Sequence, residues 1–207
     1  MEEYILAHIS PEPEPLKQIY RNTYLHHLYP RMCSGHLQGR ILAMLTAMIR
    51  PTRIIELGTY TGYSTLCFAE AMPAHCHIDT VEIDDEMADE LTQTFAASPY
   101  ADRIHLHIAD ALTAIDTLPG PWDLAFIDAN KRHYLEYLQR LLPKLAPGAF
   151  IFADNTLWSD KVLGPDTDPQ TEAIRRFNDF VAADPRFETV ILPIRDGMTL
   201  LHLKDKA

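Results

Sequence analysis

The chain reads as an α/β protein built on a parallel sheet with helices on both faces and an antiparallel hairpin at its C-terminal end. Three observations predict this class. From residue 53 onward, short apolar or β-branched runs alternate with segments of helical spacing. Alternation of that length means parallel strands covered on both sides. Near the end, two strand-like runs are separated by little more than IRDG, where Asp196-Gly197 is a hairpin signal.

The elements follow in order. SPEPEPL at 10–16 is a proline-rich lead-in, and residues 16–29 and 36–49 read as helices broken by Pro30 and Pro51. Leu37, Ile41, Leu42 and Leu45 stand at helical spacing, as core residues or a subunit contact do. Strands are expected at 53–57 (RIIEL), 77–83 (HIDTVEI), 104–109 (IHLHIA), 122–127 (WDLAFI) and 149–153 (AFIFA). Helical segments fall between them at 62–72, 85–97, 111–118 and 131–146. A longer helix at 169–183 precedes the hairpin strands at 187–193 and 198–203.

Composition narrows the classes. At 207 residues, with 47% apolar and 23% charged residues, the chain fits a single domain over 1–207 with a sizeable core. Its net charge of −11 is spread along the sequence and argues against a sequence-blind grip on nucleic acid, which needs a basic surface. MEEYILAHIS lacks the basic start and apolar stretch of a signal peptide, and ILAMLTAMI at 41–49 is too short to span a bilayer. Cys33, Cys67 and Cys76 make no disulfide framework, so a cytoplasmic protein with reduced thiols is expected. HCH at 75–77 offers two ligands without distant partners, too few for a zinc site.

Chemistry concentrates at the predicted strand ends. ELGTYTGYS (56–64) joins the first strand to its helix in the crevice where doubly wound sheets bind ligands. Gly58 and Gly62 permit close backbone approach, but the G-x-x-x-G spacing falls short of a dinucleotide fingerprint. Glu56 would repel a diphosphate and welcome an ammonium group. Glu82, 24 residues past Gly58, is placed to accept hydrogen bonds from ribose hydroxyls. An acid by the turn and an acid on a ribose suit a cationic nucleoside with an amino-acid tail, such as S-adenosylmethionine, better than NAD.

FIDANK (126–131) and FADNT (152–156) end adjacent strands, with AD at 109–110 a third acidic end. Asp128, Asp154 and Asn155 would converge as hard oxygen ligands, suited to Mg²⁺ above all, or Mn²⁺ or Ca²⁺. The competing reading makes both acids helix caps. Lys131 follows three positions after Asp128; an ammonium group is disfavoured beside a divalent cation, which suits this side chain to general-base work.

Taken with RMCSGHLQGRILAML, IIELGTYTGYSTL, AFIDANKRHYLEYL and FADNTLWSDKV, these motifs resemble the cation-dependent O-methyltransferases of the catechol and caffeoyl-CoA type. The layout is most similar to that family's small bacterial members. The resemblance implies a Rossmann-like class I methyltransferase fold with seven strands, the last two an antiparallel hairpin, and N-terminal helices (about 12–50) over the site. It implies that Met32, Ser34, Glu56, Gly58, Thr59, Tyr60, Ser64, Glu82, Ala111, Asp128 and Asn130 line the cofactor site. It further implies Asp128, Asp154 and Asn155 as metal ligands, Lys131 as catalytic base, and Asp128, Trp158, Ser159 and Asp196 near the substrate. The implied partners are a small aromatic hydroxyl substrate and a second copy of the chain, with neither nucleic acid nor membrane. Two positions depart from the pattern: Asn130 stands where DADK members carry an acid, and Ser159 where plant relatives carry Asn. A hydroxyuridine of tRNA as acceptor, and a cofactor-binding protein without turnover, are the competing readings.

Overall fold

The computed structural model describes residues 1–204. Seven strands form one sheet in the order β3-β2-β1-β4-β5-β7-β6. β1 (Arg53–Leu57), β2 (His77–Glu82), β3 (Ile104–Ile108), β4 (Trp122–Ile127) and β5 (Leu145–Asp154) are mutually parallel. β6 (Phe187–Leu192) and β7 (Met198–Leu203) form the predicted hairpin, and β7 pairs antiparallel with β5.

Strand alternation sorts the core onto two faces. Ile55, Leu57, Ala125, Ile127, Ile151 and Ala153 pack with α6 (Ala111–Thr117), α7 (Tyr134–Leu141) and α8 (Pro169–Ala183). Ile54, Leu124, Phe126 and Phe152 point the other way, toward α2 (Glu14–His26), α3 (Gly35–Ile49), α4 (Tyr63–Ala71) and α5 (Ala88–Ala96). With both faces covered, the central strands are apolar nearly throughout. At about 25 cal/mol per Å² of apolar surface, these two layers are the main driving force for the fold.

Three boundaries differ from expectation. A helix, α1 (Glu2–His8), occupies a stretch where none is predicted. α2 starts within the proline-rich lead-in, with Pro15 in its first turn, where a missing N–H costs nothing, and stops at His26. The predicted helix at 131–146 divides into a 3₁₀ turn (Lys131–His133), α7 and a second 3₁₀ turn (Leu142–Lys144). Pro143 cannot continue the α-helical bonding, so β5 starts at Leu145, four residues early. Its register against β4 then shifts between Trp122 and Leu124, absorbing Pro147 and Gly148. Cys33, Cys67 and Cys76 are all free and buried. Among the described residues no helix is long and apolar enough to cross a membrane.

Candidate active site

The strand order reverses between β1 and β4, and the crevice at their C-terminal ends is the switch point of the sheet. Here the Gly58 N–H donates to the Val81 carbonyl (2.9 Å) and the Asp128 N–H to the Leu57 carbonyl (2.9 Å). Gly58 has φ +99°, and a Cβ there would drive into the Asp128 carbonyl oxygen. Only glycine lets the two loops press together. At the end of β2, Glu82 is held by three main-chain donors: Tyr60 N–H (2.7 Å), Ile83 N–H (2.9 Å) and Asp84 N–H (3.0 Å). A carboxylate has about four acceptor positions, so this one is oriented with capacity left for a ligand.

Two acids meet on the far side of the crevice. Lys131 is buried, and its Nζ donates to Asp128 Oδ1 (2.6 Å) and to the Tyr134 hydroxyl (2.6 Å). The Tyr134 hydroxyl donates in turn to the Asp154 carbonyl (2.9 Å). Asp154 Oδ2 accepts from Gln38 Nε2 (2.7 Å), and Oδ1 from the Asn155 N–H (2.9 Å). Burial, then the nearby Asp128 carboxylate, raise the Asp154 carboxyl above the usual range. Capping belongs to other residues. Asn130 Oδ1 caps the turn after β4 by accepting from Arg132 N–H (3.2 Å), and Asp110 caps α6 through Thr113 N–H (3.0 Å). Among the described residues the Asp128 carboxylate accepts from Lys131 Nζ and serves as no helix cap.

The loop after β5 is seated on the hairpin. Thr156 N–H donates to the Gly197 carbonyl (3.0 Å), Leu157 N–H to the Asp196 carbonyl (2.9 Å), and Ser159 N–H to Asp196 Oδ1. Trp158, Ser159 and Asp160 all hold left-handed φ angles of 49–59°, an uncommon run for non-glycine residues. A Cβ at Gly197 (φ +80°) would strike Leu157, so glycine is what lets this loop approach the hairpin.

These walls enclose a cavity of about 920 Å³, enough for a nucleoside-sized ligand and a second small molecule. Met32, Ser34, Gly58, Thr59, Tyr60, Ser64, Glu82 and Ala111 line it, with Asp128, Asn130, Lys131, Asp154, Asn155, Trp158 and Asp196. Two of the predicted residues are not on the wall. Ser159 is exposed, and its main-chain N–H donates to Asp196 Oδ1. Glu56 shares the parity of Ile54, so it points beneath α4 and is fully buried. It accepts from the hydroxyls of Ser64 (2.6 Å), Thr80 (2.6 Å) and Thr65, and burial pushes its carboxyl up to about 7. Tyr60 OH and Trp158 Nε1, both on residues of the cavity wall, are buried without a hydrogen-bond partner among the described residues.

Three residues that sequence reading overlooked support the site: Gln38 and Tyr134 through their bonds to Asp154 and Lys131, and Arg195 on the wall itself. Tyr134 lies one turn after Lys131, a legible spacing. Gln38 and Arg195 reach the site only through tertiary structure. Among the described residues no group of three His, Cys, Asp or Glu side chains is placed to hold a metal. The Asp128, Asp154 and Asn155 set instead offers two carboxylates and an amide oxygen. Like-charge repulsion between two acids, one of them deeply buried, is what a hard divalent cation relieves, so the donor chemistry fits such an ion.

The O-methyltransferase family profile matches residues 7–204. A caffeoyl-CoA O-methyltransferase of Eucalyptus gunnii is 35% identical over 96% of this chain and 85% of its own length. Caffeoyl-CoA O-methyltransferase 2 of Petunia hybrida is 34% identical over 96% and 88%. Among solved structures, the SAH-bound Podospora anserina methyltransferase PaMTH1 superposes with a TM-score of 0.91 at 28% identity, covering 99% of this chain and 94% of that one. The O-methyltransferase TomG of Streptomyces achromogenes, involved in tomaymycin synthesis and solved with SAM, gives 0.90 at 26% identity over 98% and 95%. With its seven-stranded Rossmann-like sheet and a family match running almost end to end, the chain belongs to the O-methyltransferase family.

Proposed function

We propose that the protein is an S-adenosylmethionine- and divalent-cation-dependent O-methyltransferase acting on one hydroxyl of a compact vicinal dihydroxyaryl molecule. One observation carries the reading. Asp128, Asp154, Asn155 and Lys131 share a wall of the same cavity as the Gly58 loop and Glu82. Acceptor-activating and cofactor-holding groups thus meet across a single space. SAM- and SAH-bound structural relatives support the cofactor.

Glu82 is oriented to take the ribose hydroxyls, and Ser34, Ser64 and the Gly58 loop to take the amino-acid tail. Asp128, Asp154 and Asn155 would hold the cation. When bound, the cation makes an acceptor hydroxyl more acidic, and the cofactor supplies an electrophilic methyl group. Lys131 Nζ, as the amine, would take the acceptor's proton and become the ammonium, with Tyr134 fixing the direction in which Nζ points. Trp158 supplies an apolar wall for the aryl ring. Holding both reactants in one cavity removes much of the entropic barrier.

The curated relatives are caffeoyl-CoA enzymes, but a CoA ester suits this cavity less well. Its wall carries six acids (Glu82, Asp84, Asp110, Asp128, Asp154, Asp196) against Arg31, Lys131 and Arg195. Two of those three bases are already engaged within the protein. Hydroxyuridine tRNA meets the same objection. A homodimer would have an apolar face available, since the exposed Met48 of α3 and Val190 of β6 both line a second cavity of about 680 Å³.

The test is a methyl-transfer assay over free catechols, caffeoyl-CoA and hydroxyuridine tRNA with Mg²⁺, Mn²⁺ or EDTA. Cation-dependent methylation of free catechols is expected. Unimpaired turnover in EDTA would refute the cation, and a strong preference for caffeoyl-CoA would refute the compact acceptor.

A further inference from the structure

Within the segment before α3, the Tyr29 and Pro30 carbonyls accept from the Met32 N–H (2.9 Å) and the Cys33 N–H (3.2 Å), while the carbonyls of Arg31, Cys33 and Ser34 take a donor from far along the chain. Ser34 stands at the helix N-terminus without a side-chain capping bond, and Gly35 follows in a left-handed conformation (φ +74°). Arg195, on the hairpin turn some 160 residues away, supplies the donors. Its Nη1 donates to the carbonyls of Cys33 (2.8 Å) and Ser34, and its Nη2 to that of Arg31 (2.8 Å). Nη1 also reaches Gln38 Oε1 (3.1 Å).

Gln38 is 1% exposed, and its amide has one acceptor atom and one donor atom. With Oε1 turned to Arg195, Nε2 must face the Asp154 carboxylate, where it donates to Oδ2 at 2.7 Å. The connection therefore runs in one sense only, from guanidinium to amide to carboxylate. At one end it holds residues 31–34, which line the cofactor side of the cavity. At the other it sets the rotation of Asp154.

We infer that Arg195 and Gln38 are positioning residues that couple the placement of segment 31–34 on the cofactor side to the presentation of Asp154 to the cation. The inference rests on the cation and cofactor reading above. A ligand that packs against segment 31–34 steadies Arg195, hence the Gln38 amide, hence Asp154. By reciprocity, a cation on Asp154 tightens the cofactor side by the same factor.

The test measures S-adenosylhomocysteine binding by calorimetry in EDTA and in saturating Mn²⁺, with Mn²⁺ binding followed separately by electron paramagnetic resonance. In the wild type, Mn²⁺ should tighten S-adenosylhomocysteine binding within the roughly 5–150-fold range usual for coupled sites. Gln38→Met keeps the carbonyl contacts of Arg195 and breaks the link to Asp154. It should leave the EDTA affinity near wild type and abolish the Mn²⁺ enhancement. Arg195→Ala should lower the EDTA affinity and abolish the enhancement together. If both variants bind Mn²⁺ and respond to it as the wild type does, the coupling is overturned while the cation reading survives. If the wild type itself binds no Mn²⁺, both fall.

Discussion

At the scale of single residues, the acids of this protein do different work according to what surrounds them. Asp128 and Asp154 share a wall with Lys131, while Asp110 and Asp168 cap helices through Thr113 and Thr171. Lys131→Met should lower kcat by about 10²–10⁴ while leaving S-adenosylhomocysteine affinity within about threefold, as calorimetry beside steady-state kinetics would show. Glu56 gives a prediction of opposite character. Its carboxyl rises from 4.5 to about 7 through burial, partly offset by three hydroxyl donors. The folded chain therefore holds a proton that the unfolded chain has released between those values. Stability should fall as pH rises across that window, by on the order of 3 kcal/mol at most, and level off above it. Asp154 contributes in the same direction. Denaturant unfolding of the ligand-free protein at pH 5 and pH 8 should show the slope, and Glu56→Gln should flatten most of it. The sequence marked Glu56 as a site residue because of its place beside the turn. Side-chain parity, set by the packing of β1 against α4, turned it beneath the wall.

At the scale of elements, the sequence was most informative where periodicity and punctuation agree. Every strand of the sheet is legible as an apolar run bounded by turns, and the hairpin as Asp196-Gly197 between two such runs. Apart from the unpredicted α1, the failures lie where proline acts in or beside an apolar pattern. Leu141, Leu142 and Leu145 continue the helical spacing, yet Pro143 ends the bonding and hands the chain to β5. The contacts made by Arg195 were illegible for another reason, since a turn residue reaching carbonyls about 160 positions earlier leaves no local trace. Gly58→Ala tests the loop packing. Its positive φ and the close Asp128 carbonyl should cost about 2 kcal/mol or more, together with a clear loss of S-adenosylhomocysteine binding. Gly197→Ala should disturb the other side, raising KM for the acceptor while leaving S-adenosylhomocysteine affinity nearly unchanged.

At the scale of the whole molecule, the site is assembled from segments spread between residue 28 and residue 196, so ligand binding and global folding are linked. S-adenosylhomocysteine at 100 times its Kd should add about 2.7 kcal/mol of stability, which for a chain of this size raises Tm by about 5–10 °C in a thermal melt. The contact between Gly58 and the Asp128 carbonyl also bears on how this scaffold can be altered. With the cofactor on the Gly58 loop and the acceptor beside Asp128, as proposed, the separation between methyl donor and methyl acceptor would be set by two main-chain segments abutting at the centre of the sheet. Peripheral residues of the loop after β5 are not part of that abutment. Grafting a different loop there should exchange one acceptor for another without retuning the transfer distance, so acceptor range is a replaceable module and reach a fixed property of the frame.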